Sequence, residues 1–211
     1  MGKNGRQCGI DEAGRGPVIG PLVMSIVCGD PDEIVSLGAR DSKKMTPSRR
    51  EKVAQKIRDR LEFTVRVVPS TEINGWMSKE NLNRMEEKIA LELIGHASAV
   101  VYVDSFDVDE ARLSRLLSTT SGKEVHCMHR ADDRIPAVSA ASIISKVERD
   151  RIIRELSAEY GNMGSGYPSD PVTVEFLTRA IREGIDISGI VRTGWSTYRR
   201  MLSGNSQGRL L

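Results

Sequence analysis

Hydrophobic positions along the chain alternate between short apolar runs and helical stripes. A run at 8–11 precedes a longer β-branched run at 18–28, and residues 63–68 alternate as a half-buried strand does. Apolar residues within 79–97 recur at spacings of three and four, which indicates an amphipathic helix. The predicted strands are 8–11, 18–28, 63–68, 100–103 and 124–128, and the predicted helices are 47–61, 79–97, 107–117, 139–160 and 170–182.

Local signals mark several helix boundaries. Thr46 is a favoured N-cap residue and Pro47 a favoured first helical residue, and Asp170 with Pro171 repeats this signature. Gly184 predicts where the last of these helices ends. Three early strands followed by alternating helices and strands predict an α/β fold, with a mixed sheet flanked by helices and a helical C-terminal region.

Composition limits the possible functions only loosely. With 211 residues and 39% hydrophobic content, the chain can bury a core. Its formal net charge of +2 is too small to establish nucleic-acid binding, so a polyanion would be held by local clusters. The longest apolar run is far shorter than the roughly 20 residues that cross a membrane, so no membrane partner is expected.

Cysteine usage gives a further expectation. Cys8, Cys28 and Cys127 are odd in number and widely spaced. Neither a disulfide framework nor a paired Cys-x-x-Cys zinc site is expected from this spacing. A reducing compartment fits best, and we therefore expect a cytoplasmic protein.

Acidic residues near predicted strand ends are the strongest chemical signal. Asp11 and Glu12 are adjacent, and neighbouring carboxylates repel each other unless a cation neutralises them. Asp104 closes another apolar strand, and Asp132 precedes a predicted helix, so both can reach the same rim of a sheet. Because neighbouring strand residues point to opposite faces, Asp11 and Glu12 share a site only if the strand bends or stops between them.

The alternative interpretation is that each acid is an ordinary cap or turn residue. Asp is a favoured turn residue, and this alternative is strong for Asp104 taken alone. Asp107, Asp109 and Asp133 lie nearby, and spacing does not exclude them from a site.

The turn Gly14-Arg15-Gly16 follows the first acids directly. Flanking glycines allow backbone N–H groups and a guanidinium to approach a phosphate together. The spacing also matches part of a dinucleotide-binding fingerprint, which requires a helix after the turn. Pro17 and the strand-like run that follows argue against that interpretation.

A second polar group lies on the predicted helix at 139–160. Ser139, Ser142 and Lys146 share one helical face and could hold a phosphate, although a capped helix with a solvated lysine explains them equally well. The loop residues Ser42, Lys43 and Lys44 present the same choice between a phosphate contact and a surface loop.

Aromatic and basic residues near the C-terminus have two readings each. Tyr167, on a glycine- and proline-flanked loop, could stack on a sugar or base, or could be a buried tyrosine with a bonded hydroxyl. Trp195 lies among the basic residues Arg192, Arg199 and Arg200, which indicate either an exposed helix or a nucleic-acid contact.

Two histidines lie further back in the chain. His126 and His129 face opposite sides of a predicted strand, so structural positions are favoured over a zinc site.

Taken in order, these motifs closely resemble ribonuclease HII, and the archaeal form most nearly. The resemblance covers about 8–201 and implies a ribonuclease H-like fold. It implies a catalytic domain at 1–160, a helical substrate-binding region at 161–202 and a polar tail at 203–211. It also implies that four acids are catalytic and bind metal, namely Asp11, Glu12, Asp104 and Asp132.

The resemblance further implies a metal-dependent endoribonuclease. It would hydrolyse RNA in RNA/DNA hybrids and at single ribonucleotides embedded in duplex DNA, with two Mg²⁺ or Mn²⁺ ions, and would leave 3′-hydroxyl and 5′-phosphate ends. The turn would contact the backbone and the 2′-OH at the ribonucleotide, and Tyr167 would stack on the sugar that follows. Ser145 departs from the family pattern, in which alanine is frequent at this position. The residues implied to contact substrate are Gly14, Arg15, Gly16, Ser42, Lys43, Lys44, Ser139, Ser142, Lys146 and Tyr167.

Partners beyond the nucleic acid receive less support from the sequence. Some archaeal relatives carry a sliding-clamp peptide at the C-terminus, where Gln207, Leu210 and Leu211 supply a glutamine and aliphatic residues without the paired aromatics. Those rings fill a clamp's apolar pocket, so clamp binding is not favoured, and a monomer is expected. A non-catalytic nucleic-acid-binding module and a 3′→5′ exonuclease of the same fold are the two competing interpretations.

Overall fold

The computed structural model describes residues 5–39 and 45–207, with backbone alone for 204–207. Strands and helices alternate along these residues, and a 3₁₀ helix at Ala131–Asp133 precedes the longest α-helix. The strands are β1 (Gln7–Ala13), β2 (Leu22–Gly29), β3 (Glu62–Val68), β4 (Val100–Asp104) and β5 (Val125–Met128). The helices are α1 (Pro31–Ser36), α2 (Pro47–Arg60), α3 (Ser70–Met77), α4 (Leu82–Gly95), α5 (Glu110–Ser121), α6 (Pro136–Tyr160), α7 (Pro171–Glu183) and α8 (Ser196–Gln207).

The five strands form one mixed sheet in the order β3-β2-β1-β4-β5. β1 pairs antiparallel with β2, whereas β4 runs parallel to both β1 and β5. The carboxyl ends of β1 and β4 therefore emerge at the same edge of the sheet, where ligands of α/β proteins bind. The predicted α/β fold with a mixed sheet is confirmed.

The chain divides into two compact units, each made of separate segments. The first comprises Met1–Ala13, Val23–Val67 and Asn83–Glu148 and holds most of the sheet. The second is formed by Gly14–Leu22, Val68–Leu82 and Arg149–Leu211. The division predicted from the sequence, at 160 and 202, stays a prediction.

In the first unit, α6 packs closely on β1 at Gly9. A Cβ atom at this position would lie 2.1 Å from the backbone nitrogen of Val138 and 2.2 Å from the carbonyl carbon of Ala137. Further along α6, Ala140 and Ala141 are fully buried. Small side chains thus bring the helix backbone against the strand that carries Asp11.

A separate apolar cluster stabilises the second unit. Phe176 and Leu177 of α7 pack with Ile19, Met163 and Val191, all nearly inaccessible to solvent. Asp170 caps α7 and Gly184 ends it in the left-handed conformation, as the sequence predicts. No helix within residues 5–39 and 45–207 is long and apolar enough to cross a membrane.

Several predicted boundaries were wrong for identifiable reasons. β2 begins at Leu22 rather than at 18, because Gly20 has a φ of +86° and Pro21 follows it. α6 begins at Pro136, so Ser139 lies inside its first turn and does not cap it. The long helix predicted at 79–97 begins at Leu82, and Asp109 caps α5, which therefore starts three residues later than predicted.

The expected absence of a disulfide was also wrong. Cys8 and Cys28 are direct partners across β1 and β2, with Cα atoms 4.0 Å apart, and their sulfurs are bonded. The intervening residues return the chain antiparallel to itself, and that register cannot be read from cysteine spacing. Cys127 is free and buried, and desolvation raises the pKa of its thiol to about 11.

Candidate active site

Three carboxylates converge at the sheet edge of the first unit. Asp11 lies near the end of β1, Asp104 ends β4 and Asp132 lies in the 3₁₀ helix. Each offers one carboxylate oxygen, and these oxygens all lie within 4.8 Å of one another. Asp11 and Asp132 are buried and Asp104 is half-buried. Residues from three separate elements thus form a compact acidic site.

The 3₁₀ helix is tied to the end of β4 by a hydrogen bond. The N–H of Ala131 donates to the Asp104 carboxylate at 3.0 Å. Arg130, at the start of this helix, has a φ of +57°, a turn conformation uncommon outside glycine. This turn lies between β5 and the 3₁₀ helix, whose Asp132 has a carboxylate oxygen within 4.8 Å of one of Asp104.

Electrostatic repulsion makes the site suited to a cation. Burial raises the pKa of Asp11 well above its usual range, and the neighbouring charges of Glu12 and Asp104 raise this pKa further. A divalent ion would relieve both the desolvation and the repulsion. Carboxylate oxygens are the donors that Mg²⁺ and Mn²⁺ prefer, so the residues present fit such an ion.

Ser142 and Lys146 of α6 extend the acidic site. The Ser142 hydroxyl hydrogen-bonds to Asp11. This bond and the charge of Lys146 lower the pKa of Asp11 and so partly offset the increase caused by burial and by the neighbouring acids. Lys146 Nζ donates to Ser142 Oγ at 2.7 Å. The pair is separated by one helical turn, as the sequence predicts. Of the predicted phosphate-binding side chains, Ser142 therefore contacts Asp11, and Lys146 contacts Ser142 and acts on Asp11 through its charge.

Glu12 lies outside the group of three carboxylates. β1 continues through Ala13 without a break, so Glu12 and Asp11 follow the usual alternation of a strand. The N–H of Glu12 donates to Asp11 Oδ1 at 2.7 Å, and its charge acts on Asp11. A role for Glu12 as a fourth metal ligand stays a prediction.

The remaining predicted phosphate contacts are Ser139 on α6 and residues 42–44. Ser139 is buried, and its hydroxyl has no hydrogen-bond partner among the residues that the structure describes. Ser42, Lys43 and Lys44 lie outside those residues. Their predicted contacts with phosphate stay predictions.

The three acids that spacing did not exclude have structural partners. Asp107 is ion-paired with Arg112 and accepts the N–H of Asp109, and these interactions lower its pKa. Asp109 caps α5. Asp133 forms an ion pair with Arg130 at 2.9 Å. Asp107 and Asp133 are thus paired with arginines, and Asp109 has a capping role.

The glycine turn and the tyrosine lie together in the second unit. Gly14 has a φ of +90°, and a Cβ there would lie 2.6 Å from the Arg149 side chain and from the Pro21 carbonyl oxygen. A Cβ on Gly16 would lie 3.6 Å from the Tyr167 ring. The ring is 38% exposed and stacks on Arg149.

Arg192 has neither of the two roles predicted for the C-terminal basic segment, an exposed helix or a nucleic-acid contact. This residue is fully buried, and its guanidinium donates to the carbonyl oxygens of Gly14 and Arg15. Trp195 Nε1 donates to the Gly16 carbonyl at 3.0 Å. Arg192 therefore neither lies on an exposed helix nor offers a nucleic-acid contact; it holds the turn from within. Arg199 and Arg200 are exposed on α8, which agrees with both alternatives.

Comparison with known proteins identifies the family. The sequence model of a family described as Ribonuclease HII matches residues 8–198. The chain belongs to the ribonuclease HII family. It is 48% identical over 195 residues to a ribonuclease HII of Thermoplasma volcanium, with 92% of each chain covered. It is 45% identical over 199 residues to one of Picrophilus torridus, covering 94% of this chain and 98% of the other.

Solved structures agree with this family assignment. Ribonuclease H2 from Pyrococcus horikoshii superimposes with a TM-score of 0.88 at 38% identity, covering 95% of this chain and 98% of the other. The ribonuclease HII of a PCNA complex from Archaeoglobus fulgidus gives 0.87 at 42%, covering 92% and 96%. The predicted ribonuclease H-like fold and the archaeal ribonuclease HII resemblance are confirmed.

Membership of the family establishes the general activity. As a member of this family, the chain is an endoribonuclease that hydrolyses RNA in RNA/DNA hybrids and depends on a divalent metal.

One of the two histidines considered for zinc has structural partners. His126 stacks on Tyr102 and contacts Glu124 at 2.8 Å, as expected for a structural position.

Sequence reasoning missed Arg149 and Ser25. Arg149 packs beneath the glycine turn and donates to the Ser165 carbonyl, and the Ser25 hydroxyl bonds to α6. An arginine in an amphipathic helix and a serine in an apolar strand carry no local signal of these roles, because their partners are distant in sequence.

Proposed function

We propose that this ribonuclease HII cuts the RNA strand of RNA/DNA hybrids and also duplex DNA that carries a single ribonucleotide. The products would carry 3′-hydroxyl and 5′-phosphate ends. The observation that carries the proposal is the group of three carboxylate oxygens within 4.8 Å, formed by Asp11, Asp104 and Asp132. Such a group suits divalent-metal chemistry at a phosphodiester.

The three acids would hold two Mg²⁺ or Mn²⁺ ions, with Glu12 as a further ligand. When bound, the ions supply an activated water and stabilise charge on the leaving 3′-oxygen. Asp11 must lose its proton to serve as a ligand, and its raised pKa opposes that loss. Ser142 and Lys146 favour the ionised form, and their positions support a role in preparing Asp11 for metal.

Recognition of the ribonucleotide is proposed for the second unit. Backbone N–H groups of Gly14, Arg15 and Gly16 would contact the 2′-OH and adjacent phosphates, and Tyr167 would stack on the next sugar. The short distance between Gly16 and the exposed Tyr167 ring supports a shared binding surface. The 2′-OH is the group that distinguishes RNA from DNA, so donors directed at it would provide selectivity.

Phosphate contacts would hold the duplex without reading its sequence. We propose that a set of polar groups donates hydrogen bonds to phosphates and does not contact the base edges. Cutting should therefore be independent of sequence. The residues are Arg15, Ser42, Lys43, Lys44, Ser139, Ser142 and Lys146.

A duplex that carries one ribonucleotide and a different label at each end tests the proposal. One internal cut that yields two discrete products, and that EDTA abolishes, is expected from the wild-type protein. A ladder from one end would indicate an exonuclease. Binding without cleavage in Mg²⁺ and Mn²⁺ would indicate a non-catalytic module.

A sliding clamp is a second proposed partner. The relative from Archaeoglobus fulgidus was solved in a PCNA complex, which supports a clamp for this chain as well. The absence of paired aromatic residues near Gln207 in the sequence argues against it, and Leu210 and Leu211 lie outside the described residues. Sedimentation of the protein alone and with a clamp would test this partner and the proposed monomer together.

A further inference from the structure

Three consecutive carbonyl oxygens of the Gly14–Gly16 turn accept hydrogen bonds from two C-terminal side chains. Arg192 donates from Nη2 to the Gly14 carbonyl at 2.7 Å and from Nη1 to the Arg15 carbonyl at 3.1 Å. Trp195 Nε1 donates to the Gly16 carbonyl at 3.0 Å. Every residue of the turn is therefore held through its backbone.

The geometry of the guanidinium makes this arrangement rigid. Arg192 also donates from Nε to the Gly20 carbonyl at 2.9 Å, so one planar group binds three carbonyls around it. The side chain is fully buried and lies 5.0 Å from the centre of the Trp195 ring. A lysine, with a single nitrogen, could not reproduce this fork.

The segment that carries Arg192 is itself anchored within the second unit. The N–H of Arg192 donates to the Val18 carbonyl at 2.8 Å, just beyond the turn. Asn74 donates from Nδ2 to the Val191 carbonyl and accepts the N–H of Thr193, both at 2.9 Å. The two side chains therefore act from a fixed support.

Peptide geometry fixes the direction of the N–H donors that follow the held carbonyls. In a trans peptide, the C=O of one residue and the N–H of the next point in opposite directions. Holding the Gly14 and Arg15 carbonyls towards Arg192 turns the N–H groups of Arg15 and Gly16 away from it. Pro17 has no N–H, so these are the donors that the turn presents beyond Gly14.

We propose that Arg192 is a positioning residue that sets the direction of the Arg15 and Gly16 N–H groups and thereby the preference for a ribonucleotide over a deoxyribonucleotide. Trp195 supports this arrangement by holding the carbonyl of the next peptide, Gly16–Pro17. This inference rests on the proposed role of the turn in contacting the 2′-OH. Neither side chain needs to touch the nucleic acid, because each acts through the carbonyls that it holds.

Two replacements test the proposal: Arg192→Lys acts on the two carbonyls that orient the N–H groups, and Trp195→Phe acts on the peptide that follows them. Trp195→Phe keeps an aromatic ring beside Arg192 and removes the indole N–H. Trp76→Phe is the matched control, because it makes the same chemical change at the other tryptophan of the chain. Arg192→Lys is the second variant, which keeps the charge and removes the fork.

Two quantities are measured for each protein: kcat/KM on a duplex with one ribonucleotide, and the inhibition constant of the same duplex made entirely of DNA. Trp195→Phe should lower kcat/KM about five-fold, as the loss of one hydrogen bond predicts, and Arg192→Lys should lower it further. The inhibition constant of the DNA duplex should stay within about two-fold of the wild-type value, because phosphate contacts dominate it. A purely structural role would lower kcat/KM and raise the inhibition constant by similar factors.

The proposal is overturned if Arg192→Lys keeps the wild-type kcat/KM, or if its kcat/KM falls and its inhibition constant rises by the same factor. The supporting role of Trp195 is overturned if Trp195→Phe matches Trp76→Phe in kcat/KM. Amide hydrogen exchange at Arg15 and Gly16 separates this inference from the proposed function. If the wild-type protein does not cut at a single ribonucleotide, the proposed function fails, while faster exchange in Trp195→Phe would still support the positioning of the turn. Unchanged exchange in both variants would refute it.

Discussion

The Ser145 hydroxyl on α6 lies 3.0 Å from the backbone carbonyl oxygen of Asp11 and donates to it. It also lies 2.9 Å from the Ser25 hydroxyl, which donates to the Ala141 carbonyl. All of these groups are buried. Two serines therefore tie α6 to β1 and β2 at Asp11, one of the three converging acids.

Removal of this bridge should cost stability rather than activity. We expect Ser145→Ala to lower the free energy of unfolding by about 1 kcal/mol, because it leaves a buried carbonyl without its donor. The melting temperature should fall by about 2–4 °C. Cleavage should remain near the wild-type rate, since Ser145 contacts the backbone of Asp11 and not its carboxylate.

A double-mutant cycle with Ser25→Ala tests whether the two serines act as a pair. The combined loss should be smaller than the sum of the two single losses. Additive losses in urea unfolding would contradict a shared hydrogen-bond network.

The raised pKa of Asp11 predicts how metal-free stability depends on pH. The folded protein binds this proton more tightly than the unfolded chain, because burial and then the charges of Glu12 and Asp104 disfavour the ionised form. Stability in EDTA should therefore fall as the pH rises from the unfolded-state pKa near 3.8 through the raised folded-state pKa.

Asp11→Asn should remove this contribution and melt at a higher temperature than the wild-type protein in EDTA above that range. Metal affinity of the wild-type protein should rise over the same range, since the ion displaces the proton. Thermal unfolding from pH 4 upwards, with and without EDTA, measures both effects. If the melting temperatures of the two proteins changed in the same way with pH, ionisation of Asp11 would not destabilise the metal-free protein.

Close packing at Gly9 predicts a large effect of one methyl group. Gly9→Ala would place a Cβ within 2.5 Å of backbone atoms of Ala137 and Val138, which cannot move without shifting α6. We expect a loss of about 3 kcal/mol in the free energy of unfolding, together with weaker metal binding.

Gly75→Ala is the matched control for Gly9→Ala. A Cβ at this position in α3 meets nothing within 4 Å. The substitution should be neutral or stabilising by up to about 1 kcal/mol, since alanine favours a helix. Equal urea midpoints for the two variants would refute the proposed contact between α6 and β1.

The exposed Tyr167 ring predicts a difference between substrates. Tyr167→Ala should reduce cleavage at a single ribonucleotide by about ten-fold, because stacking of an aromatic ring is lost. Long hybrids should be affected less, since they do not require an RNA–DNA junction at the cut. Tyr167→Phe keeps the ring and should retain activity on both, whereas equal losses of Tyr167→Ala on the two substrates would argue against junction stacking.

Much of the candidate site follows from local sequence. Asp11 lies near the end of β1 and Asp104 ends β4, and parallel pairing of the two strands brings these ends together. Ser142 and Lys146 share a helical face because their spacing is four. Thr46, Asp170 and Gly184 mark helix ends as predicted, because caps are local.

Long-range register accounts for what the sequence did not predict. The bond between Arg192 and Gly14 joins residues 178 positions apart, and that of Ser145 to Asp11 joins residues 134 apart. The Cys8–Cys28 disulfide depends on the register of β1 against β2. No local pattern specifies these pairings, which are set when the elements pack.

Cleavage of a duplex with one ribonucleotide by Asp11→Asn tests the central claim most directly, with the amount of duplex bound measured in parallel. The substitution removes one charged oxygen ligand and nearly preserves side-chain volume. We expect Mg²⁺- and Mn²⁺-dependent cleavage to fall by about 1000-fold while duplex binding is largely retained. Full activity of Asp11→Asn would show that the three converging carboxylates are not the catalytic centre.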